Sequence, residues 1–199
     1  GLAGNELERR HFDLARVEVE RAEQLTRNLA NRRYANAADE RAGRQALLQG
    51  RAREAVKLFE RASAALDFNI YPGEWLQCQA YLAEARLAAG QAPQALVVTR
   101  AATQLHRSMG LAQINGMTPD YLWWHHSRAL RAAGGKAADA EAEQALAFAY
   151  GYVVDLVRNL SDEGLRRNAL NKWPNIRELV RAWLDQARAK GLPQAEREQ

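Results

Sequence analysis

Few side chains in this 199-residue chain have the type and spacing that chemistry requires. His125-His126 is the one adjacent pair of imidazoles. A metal on a helix draws histidines from positions four apart, which share a face, whereas neighbours point about 100° apart and do not converge. No acidic or cysteine ligand stands a turn away, so the pair reads as one packed ring and one exposed ring. His11 and His106 are isolated and read as ordinary helix residues. Cys78 is the single cysteine, which excludes a disulfide framework and a cysteine-based zinc site. It falls in an apolar stripe with Tyr81, Leu82 and Ala85, the setting of a small core residue. There is no glycine-rich phosphate loop, nucleophile elbow or carboxylate dyad. The expectation is a non-enzyme without catalytic, cofactor-binding or metal-binding residues.

Composition says what must carry these residues. The chain has 39 Ala and 25 Leu against 9 Val, 3 Ile and 4 Thr. Ala and Leu are strong helix formers, while strands draw on β-branched residues, so an all-α protein is expected. At 47% apolar and 26% charged, with 13 Gly and 5 Pro, it reads as globular. The net charge of +4 comes from 28 basic and 24 acidic residues spread along the chain. Even residues 158–199 mix 9 basic with 6 acidic, so no segment is a basic arm and the surface reads as mixed and solvated. No apolar stretch approaches the ~18 residues of a membrane span and no signal-peptide order opens the chain, which makes a cytoplasmic protein the expectation.

Apolar spacings of three and four mark helices. They are expected over residues 5–31, 35–48, 53–66, 74–89, 93–108, 121–133, 137–159, 162–171 and 175–189. Gly50, Gly90, Gly134 and Gly135 stand where left-handed residues end helices. Tyr71-Pro72-Gly73 reads as an interruption, and Thr118-Pro119 as a helix start after the long loop 110–119. The tail after Gly191 is polar and expected to fray.

A repeat runs through these helices. Gly50 is followed by Ala55, Phe59 and Ala62; at the same offsets Gly90 is followed by Ala95, Thr99 and Ala102, and Gly135 by Ala140, Gln144 and Ala147. The glycine ends one helix of a hairpin, and the two alanines lie one above the other on the next, where a partner can approach closely. Ala22, Thr26 and Leu29 repeat the second half of the pattern without its glycine.

The pattern resembles the tetratricopeptide repeat, as carried by Gly43, Gly50, Ala55, Phe59 and Ala62, by Ala83, Gly90, Ala95 and Ala102, and by Trp123, Ser127, Leu130 and Gly134. Thr99 and Gln144 replace the family's aromatic, and the units exceed its ~34 residues. The segments Trp123–Leu130, Leu160–Arg167 and Trp173–Leu179 look like the closing repeat and cap of helical regions in large bacterial signalling proteins. The resemblance implies a TPR-like αα-superhelix of three to four helix pairs. Residues 1–35 would form a half repeat, 36–72, 74–110 and 120–159 the repeats, 160–190 a cap and 191–199 a flexible tail. It also implies that the chain is a piece of a larger polypeptide.

In that register the first helices line a concave groove through Glu40, Arg44, Gln77, Glu84, Tyr121, Trp124, Arg128 and Arg131. Trp123 falls at a core position, while Trp173 and Trp183, with Ile176, Leu179 and Val180, are expected to seal the open end. Aromatic and Arg side chains anchor partner segments, so Trp124→Ala is expected to weaken binding by about 1–3 kcal/mol if Trp124 faces the groove, and to impair folding if it faces the core. The implied function is non-catalytic scaffolding: regulatory binding of a peptide or of adjacent domains. The alternatives are a homodimerisation module, a small-ligand sensor and a nucleic-acid-binding repeat, the last disfavoured by the even spread of Arg.

Overall fold

The computed structural model describes residues 12–27 and 32–191. Among these the chain is all-helical, with α1 (Phe12–Arg27), α2 (Arg32–Leu48), α3 (Ala52–Ala65), α4 (Pro72–Ala88), α5 (Ala92–Ser108), α6 (Pro119–Ala133), α7 (Lys136–Arg158), α8 (Glu163–Lys172) and α9 (Pro174–Ala189). The ends of the helix expected over 5–31, His11, Leu29, the side chain of Thr26 and the tail beyond Gly191 lie outside what is described.

Glycine and proline set the boundaries. Gly50 and Gly90 both adopt φ 74°, a left-handed conformation that costs residues with a Cβ. The next amide then reaches back into the helix just ended, Arg51 N–H to the Ala46 carbonyl and Gln91 N–H to the Arg86 carbonyl, each at 2.8 Å. The interruption expected at Tyr71-Pro72-Gly73 falls between Ala65 and Pro72, and the next helix starts two residues earlier than the expected residue 74. Pro72 opens α4, and Gly73 lies inside the first turn. An N-terminal helical position has no intrahelical use for the amide that proline lacks.

The chain divides into two compact units, residues 1–118 and 119–199. In the first, α2 pairs with α3 and α4 with α5; α1 packs on α2, and α3 packs on α4. The core between α2, α3 and α4 holds Ala46, Ala55, Val56, Phe59, Ala62, Leu66, Cys78, Leu82 and Ala85. Cys78 is the small core residue its stripe implied, its thiol donating to the Phe59 carbonyl at 3.4 Å. Asn36 on α2 is also buried and donates to the Ala62 carbonyl at 2.9 Å, so this polar group is satisfied. Gly43 faces the Phe59 ring, where small and large side chains interlock.

In the second unit α6 pairs with α7, α9 packs on α7, and α8 on α9. Here the repeat register differs from the one read off the sequence. Ala140, Gln144 and Ala147 are all exposed, and the packed face carries Ala142, Leu146 and Ala149, each at 0% exposure. Two residues further along a helix turn a side chain by about 200°, onto the opposite side. The packed register continues to Val153, whereas the other continues to Gly151, so hydrophobic burial selects the former. The motif small-x3-large-x2-small therefore recurs as Ala55-Phe59-Ala62 and Ala142-Leu146-Ala149, with Thr99 as its central residue in Ala95-Thr99-Ala102.

Candidate functional site

In the first unit the sequence-derived groove residues fall on two neighbouring helices. Glu40 and Arg44 lie one turn apart on α2, and Gln77 and Glu84 lie on one side of α4 with Tyr81 between them. The Arg44 guanidinium sits over the Tyr81 ring, 5.4 Å from its centroid. Tyr81 also stacks on Phe59 at 5.5 Å, which ties this surface group to the core. Burial raises the Tyr81 hydroxyl to about 12, a rise that Arg44 opposes. Burial likewise raises the Glu40 carboxyl above the ordinary carboxylate range, against the pull of Arg44 and Arg41. Glu40, Arg44, Tyr81 and Glu84 are all half-buried.

Gln77 is differently placed. It is buried, and its Oε1 accepts from both the amide and the hydroxyl of Thr118, each at 2.7 Å. The loop 110–118 thus folds back onto the start of α4. At Gly73 an added Cβ would lie 1.9 Å from the Asn115 carbonyl oxygen, so this residue must be glycine for the loop to seat. His106 anchors the same loop, its buried ring Nε2 standing 3.0 Å from the Ala112 carbonyl. It is more than an ordinary helix residue. Nothing in the periodicity announces a contact between residues 41 apart.

In the second unit α6 carries the other four. Tyr121 and Trp124 are buried, at 9% and 7% exposure; Arg128 is half-buried and Arg131 exposed. Arg128 lies over the Trp124 ring at 5.7 Å, and Arg131 donates to Gln186 on α9 at 2.7 Å. Trp123 is fully buried and stacks on Phe148 at 4.9 Å, as its core position implied.

Both members of the histidine pair are fully buried, not one of the two. His125 meets Tyr121 edge-on at 4.4 Å, and burial, reinforced by Arg128, holds its pKa well below the ordinary value, so it is neutral. His126 lies 3.6 Å from Glu141 on α7. Ser127 donates to the Ala142 carbonyl at 2.7 Å, which fixes α6 to α7. Both imidazole rings are packed inside the unit, and among the described residues no group of three or more His, Cys, Asp or Glu could hold a metal ion. On α9 Trp183 stacks on Tyr150 at 4.0 Å, but Trp173 is 51% exposed and is not packed as the sealing role expected of it requires. It occupies the N-cap of α9, where the backbone turns out of the helix.

Compared with known proteins, the chain matches no family model, no curated protein and no solved structure. No helix among the described residues is long and apolar enough to cross a membrane.

Proposed function

We propose that this chain is a TPR-like interaction module, non-catalytic and regulatory, that binds a peptide or a neighbouring domain along the face formed by α2 and α4. The observation that carries the reading is the half-buried set Glu40, Arg44, Tyr81 and Glu84. It offers carboxylates, a guanidinium and an aromatic ring on two helices in contact. An Arg stacked on Tyr is positioned before binding, so less side-chain entropy is lost when a partner arrives. The mixed signs suit an extended segment that itself carries both charges. In a larger cytoplasmic signalling protein, such binding would alter how attached domains are held.

The test is a peptide array presenting extended segments of basic, acidic and mixed charge. Wild type is compared with Arg44→Glu and Glu84→Lys, whose folding is checked by circular dichroism. Mixed-charge segments are expected to bind, with affinity about tenfold weaker in either variant. Binding that ignores both substitutions would remove this face from the function.

A further inference from the structure

The inward side of α9 is accounted for by Ile176, Leu179 and Ala187, at 3%, 1% and 2% exposure. Another side is not. Arg177, Arg181, Leu184 and Arg188 fall within an arc of about 60° when each residue turns about 100°. The three arginines are exposed and Leu184 is half-buried. No acidic residue falls inside that arc. Trp173 stands one turn before Arg177, whose amide donates to the Trp173 carbonyl at 3.1 Å.

The charges around this face are unequally satisfied. Arg166 and Arg167 pair with Glu163, Arg188 with Asp185, and Lys190 with Glu143. Arg177 and Arg181 have no acidic partner among the described residues. Arg177 and Arg181 stand one turn apart on the same side of the helix, with Glu178 and Asp185 outside the arc and Asp185 engaged by Arg188, one turn after an exposed Trp. Trp and Arg are the side chains that most often dominate binding energy, and guanidinium matches carboxylate in a two-pronged geometry.

We propose that this side of α9 is a docking surface for an acidic protein segment. The segment presents two carboxylates a helical turn apart to Arg177 and Arg181, and an apolar side chain that covers Trp173. Charge complementarity selects the class of partner. A phosphate backbone would leave Trp173 uncovered and would call for a longer track of cations than two guanidinium groups.

The experiment uses the full chain and a fluorescein-labelled helix-forming peptide with two Glu one turn apart and a flanking Leu. Its Gln counterpart, an oligonucleotide and phosphatidylserine vesicles are measured beside it. The Glu peptide is expected to bind at least about tenfold more tightly than the Gln peptide, and to lose about tenfold or more in Arg177→Glu/Arg181→Glu. Trp173→Ala, a change at an exposed site, is expected to weaken binding without altering the circular dichroism spectrum. Arg44→Glu, which disables the α2–α4 face, is expected to leave it unchanged, so the two surfaces are tested separately. The proposal is overturned by equal affinity for the Glu and Gln peptides, by no binding of either, or by indifference to the double charge reversal. Tighter binding of the oligonucleotide or vesicles through the same two arginines would also overturn it.

Discussion

Gly43 and Phe59 offer a direct test of how α2 and α3 nest. An added Cβ at Gly43 would lie 2.8 Å from Cε1 and Cζ of Phe59, inside van der Waals contact. The ring is fully buried and stacked on Tyr81, so it cannot swing clear. Ala in place of Gly within a helix is worth about 1 kcal/mol in propensity. Overpacking a core costs about 1–3 kcal/mol. Gly43→Ala alone is therefore expected to be neutral or to destabilise by up to about 2 kcal/mol. Phe59→Leu removes the ε and ζ carbons, and in that background the same substitution should recover its propensity gain of about 1 kcal/mol. Urea unfolding of the four proteins, followed by far-UV circular dichroism, completes the cycle, with an expected coupling of about 1–3 kcal/mol. A Gly43→Ala step of equal size in both backgrounds, within about 0.5 kcal/mol, would show that the interlock is not what sets the helix spacing.

Other expectations follow from burial and charge. Leu146→Ala should destabilise by about 2–5 kcal/mol in thermal or urea unfolding, while Ala147→Gln, one residue away and exposed, should stay within about 0.5 kcal/mol; the reverse order would restore the register read from the sequence. Folded His125 remains neutral below the pH near 6.5 at which the unfolded chain takes up a proton, so stability should fall with pH by up to about 1.4 kcal/mol per unit below that point. His106 is lowered by burial and acts in the same direction, whereas burial raises the Asp120 carboxyl to about 6 and the Glu40 carboxyl above its ordinary range, and these act oppositely. The slope is therefore read as the difference between wild type and His125→Gln, and parallel pH profiles for the two would refute it. Burial pushes the Cys78 thiol well up, so a thiol reagent at pH 8 should modify the native chain only as fast as it opens, and in full once urea unfolds it. Rapid native labelling would contradict the packing of α4 on α3.

The helix boundaries were legible because glycine and proline act on the backbone locally, whatever lies nearby. Gly50, Gly90 and Pro119 needed no tertiary context. At Pro72 the break was legible but the sequence places the helix start two residues late, since a proline before a helix can stand outside it or open it. The third hairpin misled because alanine occupies both faces of α7, so the alanine spacing holds in two registers and only Leu146 and Val153 distinguish them. The placement of Glu40 and Arg44 one turn apart on α2 was readable from periodicity. The groove positions on α4 and α6 were harder, because these helices are buried on several sides and their apolar pattern has little contrast. In the sequence register Trp124 lies on the groove face and one histidine of the pair is exposed, yet Trp124 and both histidines are buried. Trp173 looks like a core residue by type and is exposed.

The seating of residues 110–118 on α4 bears on how this protein can change. Surface connections of this length usually absorb added or deleted residues at little cost. Here Asn115 rests in the space left by the missing side chain of Gly73, and Thr118 is held twice by Gln77. Residues inserted between these two anchors would pull one of them out of place, so length variation should be rare between Asn115 and Thr118.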